Sequence, residues 1–137
     1  MNYVVDCSFT SALFLPDESS DIVRRFFLNI HKTDDVFTPF LWWYETNNVL
    51  NIALKRKRLN HSEIGTILHL LDHLKLEIDY SIGTDLSSEI VNLSQLYNLS
   101  SYDVSYIELA KRKNAHLMTF DNDIISSAKK IGIKVNQ

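Results

Sequence analysis

The sequence predicts an α/β protein, layered α/β/α, with a central, mostly parallel sheet of four to five strands. Three observations lead there. Short apolar runs alternate with longer amphipathic stretches, and strands alternating with helices build a parallel sheet covered on both faces. No linker or internal repeat interrupts the chain, so its 137 residues are expected to form a single domain, 1–137, large enough to bury a core. With three Gly, two Pro and 45% hydrophobic residues, the composition excludes disordered, collagen-like and low-complexity classes.

Each element has a local reason. Tyr3-Val4-Val5 reads as a short buried strand ended by Asp6. A helix follows from about Ser8 and stops before Pro16, which a helix interior does not accept. From about Glu18 to His31, Ile22, Phe26 and Ile30 recur at intervals of four, with Val23 and Phe27 beside them, making one apolar helical face. Val36-Phe37-Thr38 is the second strand. Thr38 offers an N-cap and Pro39 the first position of a helix expected to run to about Arg58. Asn60 and Glu63 form a capping box for the next helix, with Leu59 placed to staple to Ile64, and this helix should reach Leu74. Leu76 to Ile78 is the third strand. Ile82, Leu86, Ile90 and Leu93 line another helical face, and Ser100 or Ser101 caps a helix to about Asn114. His116-Leu117-Met118-Thr119 is a strand, Asp121 caps a helix to Lys130, and Ile131 to Val135, broken by Gly132, makes a short last strand.

Composition narrows the function classes. Cys7 stands alone, so no internal disulfide forms and a reducing compartment is natural. No apolar run reaches the roughly 18 residues of a membrane span. The opening Met1-Asn2-Tyr3-Val4-Val5-Asp6 lacks the basic region and apolar core of a signal peptide, so a cytoplasmic protein without a membrane partner is expected. The formal charge of −3, from 14 basic and 17 acidic side chains, counts against a general nucleic-acid coat.

Ligands of parallel sheets bind beyond the carboxyl ends of the strands. Asp6 ends the first strand, and Asp121 follows the strand at Leu117 to Thr119. Asp103 lies in the first turn of its helix, and Glu45 about two turns into the helix begun near Pro39. Helices that follow parallel strands start at the same sheet edge, so all four carboxylates are expected at one rim. Taken singly, each has an ordinary explanation as a cap or a solvated helix residue; their joint placement changes the reading. A set of separate acids suits Mg2+ or Mn2+, which prefer oxygen and keep several waters. Without metal the cluster should repel itself and raise at least one carboxylate pKa.

Four motifs then carry a resemblance across nearly the whole chain: Val4-Val5-Asp6-Cys7-Ser8, Glu45-Thr46-Asn47-Asn48-Val49-Leu50, Ser101-Tyr102-Asp103-Val104-Ser105-Tyr106 with Leu109-Ala110, and Leu117-Met118-Thr119-Phe120-Asp121. In this order they resemble the PIN-domain family, and within it the VapC-type toxins of toxin–antitoxin pairs. The resemblance implies a PIN-like fold and a metal-dependent endoribonuclease using Mg2+ or Mn2+, with RNA as substrate, a small antitoxin as partner and a homodimer as assembly. It maps the family acids onto Asp6, Glu45, Asp103 and Asp121, as catalytic and metal-holding residues. Ser8 and Thr119 become hydroxyl neighbours of the site, and Asn48 lies one helical turn from Glu45 on the same face. Asp123 is an additional acid to which the resemblance gives no role. Cys7 fills a variable slot and Val104 replaces a frequent Ala, and neither removes an acid.

Other features carry plainer readings beside functional ones. Lys55-Arg56-Lys57-Arg58 can touch RNA phosphates, or simply complement a helix C-terminus, as can Lys111-Arg112-Lys113. Phe40, Trp42, Trp43 and Tyr44 cannot all face one core side of a helix. At least two are expected in the core and others at a partner surface, which the resemblance makes an antitoxin groove or dimer contact. His69 and His73 share a helical face at zinc-ligand spacing but have no evident third ligand, so a helix-surface role is preferred. Cys7 reads as a small packed residue, not a nucleophile. The main alternative is a non-catalytic PIN-like module that binds RNA or a partner. A phosphoreceiver would usually show paired acids at the first strand and a late Lys, and a dehalogenase-like phosphatase a second Asp two after the first; Asp6 has no paired acid and position 8 is Ser8.

Overall fold

The computed structural model describes residues 1–15 and 20–137. In chain order the elements are β1 (Asn2–Val5), α1 (Cys7–Ser11), α2 (Ser20–Asn29), β2 (Asp35–Pro39), α3 (Leu41–Lys55), α4 (His61–Asp72), β3 (Glu77–Asp79), α5 (Thr84–Tyr97), α6 (Ser101–Arg112), β4 (His116–Met118) and α7 (Asn122–Lys130). α1 ends at Ser11, four residues short of the expected run up to Pro16, and the expected helix start near Glu18 lies outside the described residues.

Among the described residues the sheet has four strands in the order β3-β2-β1-β4, and every pairing is parallel. The alternation of side chains along each strand divides the core in two. Val4, Phe37 and Leu117 pack on one face with Trp42 and Leu50 of α3, Ile67 and Leu71 of α4, Tyr106 and Ile107 of α6, and Ile124 and Ala128 of α7. Val5, Val36 and Met118 pack on the other with Phe9 and Ala12, beside α1's C-terminal end, and Val23 of α2. The structure is therefore the α/β/α arrangement with a parallel sheet. Trp42 is wholly buried and donates its indole N–H to Thr10 Oγ1 at 2.9 Å, which ties α3 to α1.

Several local expectations are corrected. Thr38 does not cap α3. It is fully buried in β2, its hydroxyl donates to the Val5 carbonyl at 3.0 Å, and Pro39 pairs with Asp79 as the last residue of the strand. The strand pairing outcompetes the local capping preference, and α3 starts at Leu41 behind Phe40, with no side-chain cap. This helix stops at Lys55, not Arg58. Lys57 turns left-handed (φ 57°), and Arg58 and Lys57 donate back to the Ala53 and Leu54 carbonyls at 2.8 and 3.0 Å, a Schellman ending. The Asn60–Glu63 capping box forms as read, but α4 ends at Asp72. Ile82 lies before α5 and is 80% exposed, so it is not on that helix's buried face. The last expected strand is reduced to a single bridge, Leu117 to Val135, because α7 closes through left-handed Gly132 (φ 84°), only three residues before that point.

Of the four aromatics near the start of α3, Trp42 is buried and Trp43 packs partly against it, ring centroids 4.8 Å apart. Phe40 and Tyr44 remain exposed, at 40% and 72%. Among the described residues no helix is long and apolar enough to cross a membrane.

Candidate active site

The carboxyl ends of β1 and β4 lie side by side because Val5 registers with Met118. The next residue of each strand, Asp6 and Thr119, is thereby placed level across the edge. The Asp6 N–H donates to the Met118 carbonyl at 3.2 Å, and the Thr119 hydroxyl donates to Asp6 Oδ2 at 2.5 Å. Asp6 is only 3% exposed. It caps α1 by accepting the Phe9 N–H at 2.8 Å, and the Ser8 hydroxyl lies 2.8 and 2.9 Å from its two oxygens. Burial pushes its pKa up to about 6, the bonds from Thr119, Phe9 and Ser8 oppose that rise, and the charge of Asp121 adds to it.

The hydroxyls extend the network. Ser8 Oγ accepts the Phe120 N–H at 2.9 Å, and Thr119 Oγ1 accepts the Asp121 N–H at 3.0 Å. Asp121 is the N-cap of α7, its Oδ1 taking the N–H groups of Asp123 and Ile124 at 2.9 and 3.1 Å. Both bonds fall on one oxygen, so Oδ2 faces away from the cap.

Glu45 and Asp103 come from the other helices. Glu45, half-buried on α3, accepts the Tyr106 hydroxyl on Oε1 at 2.6 Å. Burial raises its pKa, the Tyr106 bond opposes this, and the charges of Asp6 and Asp103 raise it further. Asp103 sits in the first turn of α6, whose cap is Ser100 Oγ accepting the Asp103 N–H at 3.1 Å. Its pKa is raised first by burial, then by the charges of Asp121 and exposed Asp123. Asp6, Glu45, Asp103, Asp121 and Asp123 therefore form one chain of mutually repelling acids. Among the described residues none of the five is ion-paired with a basic group.

A cavity of about 420 Å3 opens beside this network, lined by Cys7, Ser8, Glu45 and exposed Asn48 among others. Cys7 is buried against Ser11 and Thr46, and its thiol pKa is raised by that burial, so it contributes no thiolate. Among the described residues no three His, Cys, Asp or Glu side chains converge closely enough, as they stand, to enclose a metal ion. The donor set nonetheless fits a hard cation: it is all oxygen, underpaired in positive charge, and open enough for the waters that Mg2+ or Mn2+ retain.

Some sequence candidates lie elsewhere. Lys55, Arg56, Lys57 and Arg58 are all exposed at the far end of α3, where Lys55 lies ten residues, about 15 Å of helical rise, from Glu45. His69 and His73 are exposed on α4, rings 4.2 Å apart, with His73 Nδ1 against the His69 carbonyl at 2.8 Å. Two polar residues at the network were not singled out from sequence. Tyr106 was visible only as part of a motif. Asn136 pairs with the Thr119 backbone through both side-chain groups, at 2.9 and 2.8 Å, and nothing local in the sequence marks it.

Comparisons with known proteins agree with this architecture. Ribonuclease VapC3 of Pyrobaculum aerophilum is 25% identical over 124 residues, spanning 90% of this chain and 92% of that protein. The crystal structure of PAE2754 from Pyrobaculum aerophilum superimposes with a TM-score of 0.72 at 20% identity, over 99% of this chain and 84% of that one. That of Mycobacterium tuberculosis VapC20, described as a toxin that cleaves the sarcin–ricin loop, gives 0.71 at 18% identity, over 91% and 94%. The sequence model of the PIN domain matches residues 3–130, which takes in all five acids of the rim, and the chain belongs to the PIN domain family.

Proposed function

We propose that this protein is a Mg2+- or Mn2+-dependent endoribonuclease, a VapC-like toxin that hydrolyses RNA phosphodiester bonds and is neutralised by a small antitoxin. The observation that carries the reading is the run of acids around Asp6. Three of them, Asp6, Glu45 and Asp103, have pKa values raised from the ordinary ones, first by burial and then by one another's charge and that of their neighbours, and among the described residues no basic side chain neutralises them. Such a site is short of positive charge, and a divalent cation supplies it. The name and activity of the VapC3 relative support the same reading.

When bound, the cation would polarise the scissile phosphate and lower the pKa of an attacking water. The chain's own residues do the rest. Asp6, clamped by Thr119, Ser8 and the Phe9 N–H, holds a fixed carboxylate at the sheet edge. Asp121 is fixed by its capping bonds and leaves Oδ2 for the site. Asp103, half-buried and raised in pKa, is suited to take up the proton of the attacking water. Asn48, on the cavity wall, can hydrogen-bond a phosphate or ribose oxygen. Lys55 to Arg58 would meet RNA phosphates away from the scissile bond.

Cleavage of total RNA by the purified protein, with Mn2+ and with chelator, tests the proposal. Activity that needs the cation and disappears in Asp6→Asn and Asp103→Asn supports it. Full activity in either folded variant overturns the assignment. An intact wild type that binds RNA without cutting it favours the non-catalytic module. Co-purification of a small co-expressed neighbouring gene product, and the mass of the free protein in solution, test the antitoxin and the homodimer.

A further inference from the structure

Tyr106 lies three residues after Asp103 on α6, is 1% exposed, and places its hydroxyl 2.6 Å from Glu45 Oε1. A buried phenol hydroxyl needs a partner, and here Glu45 is that partner. Oε1 is therefore engaged, and Oε2 is the oxygen that Glu45 can turn to a ligand. Drawing Oε1 onto a cation as well would set the cation and the hydroxyl in competition for that oxygen and turn the carboxylate from the orientation this bond holds.

Asp121 shares this pattern, and Asp6 does not. Asp121 accepts both capping N–H groups on Oδ1. Asp6 has donors on each of its oxygens. Glu45 and Asp121 thus each keep one carboxylate oxygen clear of these bonds. Cations differ in what they accept. Ca2+ takes six to eight oxygens and often draws both oxygens of a carboxylate. Mg2+ demands near-octahedral geometry, takes carboxylates singly and keeps its waters. Mn2+ suits the same carboxylate and water ligands.

We propose that Tyr106 is a positioning residue that sets metal choice: by holding Glu45 Oε1 it restricts that carboxylate to one free oxygen and so disfavours Ca2+ relative to Mn2+ and Mg2+. This rests on the divalent-cation reading of the site given above. It needs no change in the acids themselves. It also gives a role to a side chain that would otherwise be only core packing.

The test measures binding, not cleavage. Mn2+ is titrated into the intact protein and the free ion followed by electron paramagnetic resonance; Ca2+ is then added to displace it. Tyr106→Phe keeps the ring and removes the hydroxyl. In this variant Ca2+ should displace Mn2+ at a concentration lower by about tenfold, the scale of one hydrogen bond to a charged group. Tyr102→Phe, altered at an exposed ring on the same helix, should leave the ratio unchanged. If Tyr106→Phe does not fold, as judged by circular dichroism, Tyr106→Met provides the same comparison. An equal Ca2+ to Mn2+ ratio in wild type and in the folded variant overturns the role of Tyr106. Failure of the wild type to bind Mn2+ at all overturns the cation reading itself.

Discussion

Asp6 is asked to be two things at once, a helix cap and a site acid, and its surroundings show how both are met. The bonds from Phe9, Ser8 and Thr119 hold its geometry, while burial and Asp121 oppose its charge. Its pKa is higher folded, at about 6, than the ordinary 3.8, so the folded state binds the extra proton between those values. The stability that Asp6 contributes is therefore full below about pH 4 and lost as the pH rises through 6. In metal-free buffer, Asp6→Asn should be more stable than wild type at pH 7.5, with an upper limit of about 3 kcal/mol, and the difference should vanish near pH 4. Urea melts at the two pH values check this, and a larger advantage at pH 4 would contradict it. Under cleavage conditions the same variant should lose roughly 100-fold or more in rate, since a cation's stabilisation of the transition state is worth several kcal/mol. Thr119→Val, which removes a donor to Asp6 and an acceptor for the Asp121 N–H, should weaken Mn2+ binding by about 10- to 100-fold, measured by the same resonance titration.

At the scale of elements, the helix ends separate what local chemistry decides from what it does not. Gly132, Asn98 and Asn114 occupy left-handed positions that their residue types tolerate. Lys57 occupies one that its type does not favour, and the helix that the basic run suggested would extend to Arg58 stops at Lys55 instead. Lys57→Gly should therefore stabilise the protein by about 0.5–1 kcal/mol, and Gly132→Ala should destabilise it by a similar amount, read as opposite shifts of the urea midpoint. The start of α3 teaches the reverse lesson. Thr38-Pro39 has the local chemistry of a helix start, yet Thr38 is bonded to Val5 inside the sheet and Pro39 faces Asp79 in register. Strand pairing is a contact between distant segments, and no short window of sequence contains it.

Across the whole molecule, the helices are held to the sheet by apolar packing and by a few polar ties. Arg112 is the most connected of these. Its guanidinium grips Glu108 through Nε and Nη2 at 2.8 and 3.2 Å, and Nη1 reaches Asp79 at the end of β3 at 2.8 Å, joining the far edge of the sheet to α6. Glu108 is 7% exposed, so removing its partner strands a buried charge. Arg112→Leu should cost about 2 kcal/mol, softened by the guanidinium's partial exposure, and Glu108→Leu in the same chain should recover much of that loss; a double-mutant cycle by urea denaturation measures both. The charge balance also reads differently at this scale. Removing the four proposed site acids from the 17 leaves 13 against 14 basic side chains, so the overall −3 no longer argues against an RNA partner.

The sequence by itself determined the order and type of most elements, because periodicity, caps and turn residues are local. It also marked the four acids as candidates, because their motifs are short and lie at strand ends and in the first turns of helices. Tertiary structure alone decided that Val5 registers with Met118, which brings Thr119 onto Asp6 across 113 positions of chain, and that Tyr106 reaches Glu45 across 61. It decided too that Asn136 clasps Thr119, and that the basic run lies at the opposite end of α3 from Glu45. The physical reason is common to all of these. A side chain's local preference is written in its neighbours, whereas its burial, its hydrogen-bond partner and hence its charge state depend on which distant strand or helix packs beside it.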